Sequence, residues 1–291
     1  MKKILIIMAL VLVISGCSSK TPITSKVDNG SDVVASVNGI NVTKQDIYTT
    51  LLASSGANLV IDHSLQMVAN QLITDEETIN AKVEETIASY ISMLGSEDSF
   101  NTYVKNSGYD TVDEFKEAQI IPSIKITLLV KQYIEENFTD LANEYGYSYI
   151  QSFKVDTESE ALELISKINS GESTFEDVAK EKMGNDTVAN VLCYTNASTT
   201  SVDSNIASRA TSFTTVGLYA TPIATSDSKY AVVNVVDTDR EAHKDEIVTS
   251  LLGISDVNTK AQAYFLSQNN FEVYEKGLAE DIKAVNEDYL K

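Results

Sequence analysis

The chain has 291 residues, with 22 Lys+Arg against 42 Asp+Glu for a formal charge of −20, and contains two His, two Cys, three Pro and no Trp. The acid excess, with only Arg209 and Arg240 as arginines, excludes a nucleic-acid partner, and two Cys with two His exclude a Cys-rich zinc module or a disulfide scaffold. An apolar content of 43% suits one large domain or two smaller ones rather than a disordered chain.

Residues 1–17 read MKKILIIMALVLVISGC. Lys2 and Lys3 precede an unbroken apolar run of 11 residues, Ile4–Ile14. Crossing hydrocarbon needs about 20 residues, whereas this length suits a secretory h-region. The run ends in Ile14-Ser15-Gly16-Cys17, which resembles a bacterial lipobox, with Cys17 as the acylated first mature residue. The competing reading is an ordinary signal peptide with an incidental Cys. The lipobox reading makes 1–16 a lipoprotein signal peptide and 17–32 a polar tether. It places the protein on the extracytoplasmic face of the bacterial cell membrane, held by thioether-linked diacylglycerol and an amide acyl chain, since one chain alone anchors marginally. Processing leaves 20 Lys+Arg against 42 acids, a mature charge of −22. Cys193 is then the one remaining thiol. Its setting, Val191-Leu192-Cys193-Tyr194, reads as a half-buried strand and the thiol as a small buried hydrophobe.

Val33 to Val42 is two short apolar runs around Asn38-Gly39, a type I′ hairpin signal. Thr43-Lys44-Gln45-Asp46 is a capping box variant that opens a helix with Ile47, Leu51 and Leu52 on one face, and a second helix is expected over about Asp62–Ile73. Thr74-Asp75-Glu76-Glu77 reads as another box, starting a helix whose apolar positions Ile79, Val83, Ile87, Tyr90, Ile91 and Leu94 follow the 3.6-residue period up to Gly95. A short helix over Ser99–Asn106 stops at Ser107-Gly108. Thr111 caps a further helix towards Asn137, with Pro122 predicting a kink or break inside it. Tyr147–Val155 is aromatic and β-branched and reads as a strand. Helices are expected over Glu158–Asn169 and from Thr174 through Lys182, and a strand over Lys229–Val236. Residues 183–217 are Ser/Thr/Asn-rich and carry no clear period. Helices over about Glu241–Leu252 and Asn258–Gln268, a short strand Phe271–Tyr274 and a helix Gly277–Leu290 complete the chain.

These elements give an α+β fold: a helical domain built from N- and C-terminal segments, with a small α+β domain inserted between them. The expected boundaries are 33–146 for the N-terminal helical part, 147–238 for the insert and 239–291 for the returning helical segment. SVNGINVTKQDIYTTLL resembles the opening hairpin and helix of the PrsA/SurA group of extracytoplasmic foldases, and ITDEETINAKVEETIASYISMLGSEDSFNTYVKNSGYDTVDEFKEAQI is similar to the continuation of that SurA-N-like helical domain. SFKVDTESEALELISKINSGESTFEDVAKEKMGND resembles the first half of a parvulin-type (PpiC) peptidyl-prolyl isomerase, or rotamase, module. KYAVVNVVD stands in the place of its last strand, and FEVYEKGLAEDIKAVNEDYL is similar to the segment that returns to the helical domain.

The resemblance implies a groove in the insert and names its positions. The His usual on the first strand falls on Ser152, and the second His on Ala231. The acidic or Cys position falls on Asn185 or Asp186. A Leu-Gly-Trp-Phe stretch is reduced to Leu192-Cys193-Tyr194-Thr195, and the groove Phe falls on Ser208. A catalyst of X-Pro rotation must favour the twisted amide over the planar one, using a dry proline pocket and placed polar groups. With both imidazoles replaced, the resemblance implies a membrane-anchored chaperone or foldase for secreted proteins whose parvulin-like domain does not turn over. The alternative is an active prolyl isomerase using Asp186, Tyr194 and backbone groups. A solute-binding lipoprotein is disfavoured by the helix-rich stretch 43–146 and the absence of Trp. The expected partners are unfolded or partly folded secreted polypeptides and the membrane, with a homodimer left open. The tyrosines Tyr145, Tyr147 and Tyr149 are readable either as one wall of a cleft or as strand core. No cofactor and no metal are implied.

Overall fold

The computed structural model describes residues 26–185, 187–196 and 202–290. Cys17 and Asp186 lie outside the described residues. The chain divides into two compact units, one formed by residues up to Met67 with those from Phe265 on, the other by Val68–Tyr264.

The first unit opens with strands β1 (Val33–Val37) and β2 (Ile40–Thr43), paired antiparallel as a two-stranded sheet. Asn38 and Gly39 both take positive φ, 53° and 80°, as a type I′ turn requires. Thr43 and Asp46 then exchange bonds: the Thr43 N–H donates to Asp46 Oδ2 at 2.8 Å, and the Asp46 N–H to Thr43 Oγ1 at 3.2 Å. That box starts α1 (Lys44–Leu72), a single helix of 29 residues rather than the two expected. Ser54-Ser55-Gly56 does not break it. The Ser54 hydroxyl bonds back to the Leu51 carbonyl, and a Cβ at Gly56 would meet Leu278 Cδ1 at 3.5 Å, so packing overrides glycine's weak helix propensity. Ile61, Leu65, Phe265, Leu266, Ile282 and Tyr289 are buried in this unit. The strand expected at Phe271–Tyr274 is absent. Asn270 turns to φ 52°, the chain finds no ladder partner among the described residues, and Tyr274 is 90% exposed. Helix α12 (Lys276–Val285) is followed by a 3₁₀ turn, Glu287–Leu290, because Asn286 leaves helical geometry and its side chain accepts from the Asp288 N–H.

The second unit begins with α2 (Glu76–Leu94). Its N-cap is Asp75, not Thr74; the Asp75 carboxylate accepts from the Thr78 N–H and hydroxyl. Gly95 closes it at φ 86°. Helix α3 (Glu97–Asn106) is capped by Ser96, and α4 (Val112–Phe115) by Thr111. The break expected from Pro122 appears as a π-turn, Lys116–Ile120, directly ahead of α5 (Ile121–Glu136). Pro122 has no N–H for the Ala118 carbonyl, and the wider turn absorbs the mismatch. Helix α6 (Phe138–Tyr145) ends at Gly146, φ 69°.

A five-stranded antiparallel sheet follows, ordered β4-β3-β7-β5 with β6 also on β7. Its strands are β3 (Ser148–Val155), β4 (Val191–Cys193), β5 (Gly217–Leu218), β6 (Ile223–Ala224) and β7 (Tyr230–Asp237). Helices α7 (Glu158–Asn169) and α8 (Phe175–Met183) pack on one face with Phe153, Val155 and Val232. The short helix α9 (Ser204–Ala207) and a 3₁₀ turn, Ala210–Ser212, cover the other with Ile150, Ala231, Val233 and Val235. This alternation of inward faces is the two-residue period of the strands. Helices α10 (Lys244–Leu252) and α11 (Ser255–Gln268) pack against α5 and α6 through Ile247, Leu251, Val257 and Ala261. The result is an α+β fold of helices around a small antiparallel sheet.

Candidate functional site

Ser152 pairs with Val233 across β3 and β7, and Ala231 pairs with Lys154 and with Ile223. Alternation places Ser152, Lys154 and Ala231 on the face covered by α9. The two positions that the resemblance implies for imidazoles are therefore together on one face. Ala231 is fully buried, in the cluster that holds Ile206, Ala207, Phe213 and Val233. Ser152 is half-buried.

Beside them stands an ion cluster that the sequence did not announce. Lys154 Nζ lies 3.4 Å from Asp203 Oδ2 and 3.1 Å from Asp227 Oδ2. Asp203 is the N-cap of α9, accepting from the Asn205 N–H at 3.0 Å, and it also takes the Ser226 N–H at 3.1 Å and the Ser226 hydroxyl at 2.7 Å. Its side chain is 5% exposed. Burial pushes the carboxyl up, but the Ser226 hydroxyl, the two backbone N–H groups and Lys154 outweigh it and hold the group below the ordinary carboxylate range. The only sequence signal was Asp203 before Ser204-Asn205, an N-cap pattern in a stretch without periodicity.

A carboxyl held low adds stability above its unfolded value, near ~3.9, and loses it as pH falls through the folded value. Asp203→Ala is thus expected to cost about 2 kcal/mol at neutral pH, as a lost buried cap does, and to flatten the fall of stability below about pH 4. Thermal unfolding between roughly pH 2 and 7 checks this; an acid limb unchanged from the parent chain would contradict it.

Next to this cluster a cleft of about 670 Å³ is lined by Asn205, Ser208, Arg209, Tyr219, Pro222 and Ile223, with Glu158, Thr221, Ala224 and Tyr230 completing the wall. Of the positions named from sequence, only Ser208 lines it; Ser152, Tyr194 and Ala231 do not. Ser208 donates its hydroxyl to the Asn205 carbonyl at 2.8 Å. Arg209, Tyr219 and Tyr230 were not singled out as site residues; around Tyr219, β5 and β6 are two residues each and carry no readable period. No histidine is part of the lining.

The remaining candidates sit in packing. The Tyr194 ring stacks on Tyr147 at 4.5 Å. Cys193 is buried, which pushes its thiol up to about 12 and leaves it protonated. His243 lies ahead of α10, its Nε2 2.9 Å from Asp237 Oδ2 and its ring 4.4 Å from Tyr149. The tyrosine run is an anchor row rather than a cleft wall. Tyr145 donates to Asp256 at 3.0 Å and Tyr147 to Ser250 at 2.9 Å, while Tyr149 bonds Glu246, tying α6 and β3 to α10 and α11.

A second cleft, about 540 Å³, lies among α2, α3, the π-turn and α5. Tyr90, Tyr103 and Phe115 form its aromatic floor, with pairwise ring distances of 5.6 to 6.0 Å. Thr86, Ser89, Gln119, Ser123 and Thr127 add polar groups around it. The arrangement offers apolar surface within a polar wall, the chemistry of a side-chain pocket.

No family model and no curated protein matches this chain. Among solved structures, the peptidylprolyl isomerase PrsA of Bacillus cereus is similar at 17% identity, with 88% of this chain and 99% of that one covered and a TM-score of 0.53. The foldase protein PrsA of Streptococcus pneumoniae is similar at 18% identity over 89% of this chain and 100% of that one, with a TM-score of 0.41. The first of these likenesses shows that the chain has a PrsA-type fold.

Proposed function

We propose that this protein is an extracytoplasmic chaperone or foldase that holds unfolded or partly folded secreted polypeptides, and that residues 147–238 form a parvulin-like domain without turnover. The observation that carries this reading is the sheet face of β3 and β7. There Ser152 and Ala231, onto which the resemblance puts the two imidazole positions, lie on paired strands as a hydroxyl and a buried methyl, which supports the reading. Lys154 is no free base, being held between two carboxylates. What remains is shape and apolar surface, which is the equipment for holding rather than for rotating an amide. The aromatic floor of the α2–α5 cleft supplies such surface, and the −20 charge keeps a chain that binds apolar segments soluble.

The N-terminal sequence supports the location: a short apolar h-region ending at Cys17 suits lipid anchoring outside the cell membrane. Among the described residues no helix is long and apolar enough to cross a membrane. The active-isomerase alternative, resting in part on Tyr194, is disfavoured by the stacking of that ring on Tyr147.

Aggregation of an unfolded client that contains no proline separates the readings. Light scattering is expected to fall to background at near-equimolar protein. Undiminished scattering, with proline-peptide turnover present, would reverse the assignment.

A further inference from the structure

The cleft beside α9 carries charges that its own chain leaves unclaimed. Its walls come from the start of α7, the turn after α9, the β5–β6 segment and the start of β7, all within the second unit. Among the described residues that line it, Arg209 is the one cation and Glu158 the one carboxylate. Neither side chain makes an ion pair or a hydrogen bond among the described residues, and both are exposed. In a chain of 42 acids and 22 bases such a guanidinium stands out. Arg240, the other arginine, gives its Nε to the Tyr147 carbonyl at 2.9 Å and its Nη1 to Asn143, and Lys154 is held by Asp203 and Asp227.

The backbone that presents Arg209 is pinned. Its N–H donates to the Ile206 carbonyl at 2.9 Å, and its carbonyl accepts from the Ser212 N–H at 2.8 Å and the Ser212 hydroxyl at 2.6 Å. The same Ser212 oxygen is 3.1 Å from Tyr219 Oη, which brings a phenol to the turn that bears the guanidinium. Glu158 enters from a different element, as the first residue of α7 behind the Thr157 cap. Pro222, Ile223 and Ala224 add apolar surface. At about 670 Å³ the cleft falls within the ~300–1,000 Å³ of small-ligand sites.

We propose that this cleft binds short free peptides, with the C-terminal carboxylate on Arg209 and Tyr219 and the N-terminal ammonium on Glu158. Arginine's planar fork takes a carboxylate through two parallel N–H bonds, whereas an ammonium is a compact point charge that a single carboxylate satisfies. An apolar side chain of the ligand rests on Pro222 and Ile223. Each extended residue spans ~3.3–3.6 Å, so the gap between the two charges selects a length of about two to four residues.

Charge selects this ligand class. A dicarboxylate sets its second charge against Glu158, and a diamine sets one against Arg209. At −20 the whole chain repels anions from a distance, while a zwitterion has no net charge and approaches unopposed. Internal segments of a long polypeptide carry neither terminal charge, so the proposal is independent of the chaperone reading.

The test is calorimetric titration of the full chain with Ala-Leu, Ala-Ala-Leu and Ala-Ala-Ala-Leu. For the best length a dissociation constant on the order of 0.1–1 mM is expected, and acetylating the amine or amidating the carboxylate should each weaken binding about tenfold. Arg209→Gln should bind free and amidated peptides equally, and Glu158→Gln should bind free and acetylated peptides equally, because each variant removes the partner of one end. Both side chains are exposed, so the variants should keep the parent's circular dichroism spectrum. Three peptides that all fail to bind at ~10 mM overturn the proposal. So do capped peptides that bind as tightly as free ones, and so does an Arg209→Gln chain that still tells carboxylate from amide, which would seat the peptide elsewhere.

Discussion

Gly146→Ala is expected to destabilise the protein by about 2–5 kcal/mol, a large part of the ~5–15 kcal/mol that holds a folded protein together. Gly146 ends α6 at φ 69°, a conformation that costs an L-residue about 1–2 kcal/mol. That is the smaller part. A Cβ there would stand 2.5 Å from Thr211 N, 2.6 Å from Thr211 Cα and 2.7 Å from the Ala210 carbonyl carbon. All three are backbone atoms of the 3₁₀ turn that covers the sheet, so no side chain can rotate out of the way. Overpacking of this kind adds about 1–3 kcal/mol or more. Gly171 and Gly184 provide the control. Their φ values, 78° and 66°, are similar, but an added Cβ meets nothing within 4 Å at either. Alanine there should cost only about 1–2 kcal/mol. Urea midpoints of the three variants decide the matter; equal losses at all three would show that contact with the 3₁₀ turn is irrelevant.

The second large effect is an absence. In a protease-coupled proline-peptide assay the chain is expected to leave the rate at its uncatalysed value, tens of seconds or longer. Lowering a barrier of ~18–20 kcal/mol requires groups that bind the twisted amide. The β3–β7 face offers a hydroxyl at Ser152 and, at Ala231, a buried methyl. Nor should the activity return on substitution. Ala231→His must force an imidazole among Ile206, Phe213 and Val233, and is expected to cost stability before it adds chemistry. Turnover within about tenfold of an active parvulin, a gap of only ~1.4 kcal/mol in barrier height, would defeat this reading.

Elements with a local chemical signature were legible before any coordinates. Asn38-Gly39 set the first turn, Thr111 and Thr174 accept from their helices' first N–H groups, and Pro122 marked the π-turn. What was not legible depends on distant residues. Nothing near Gly56 says that Leu278 will pack beside it in a continuous α1. Phe271–Tyr274 has the composition of a strand, yet a strand needs a neighbour, and none is there among the described residues. The candidate site divides the same way. Ser152 and Ala231 were named by the resemblance, but that they share a face follows only from the register of β3 on β7. The Lys154–Asp203–Asp227 cluster joins residues 49 and 73 positions apart, which no window of sequence can reveal.

The row of Tyr145, Tyr147 and Tyr149 has a consequence in time. Their partners Asp256, Ser250 and Glu246 lie 111, 103 and 97 residues downstream. A polypeptide that emerges amino-terminus first must expose these three rings until its last third has been delivered, and closing so long a loop is slow. Each newborn copy therefore passes through an interval of sticky incompleteness before its own clasp can shut.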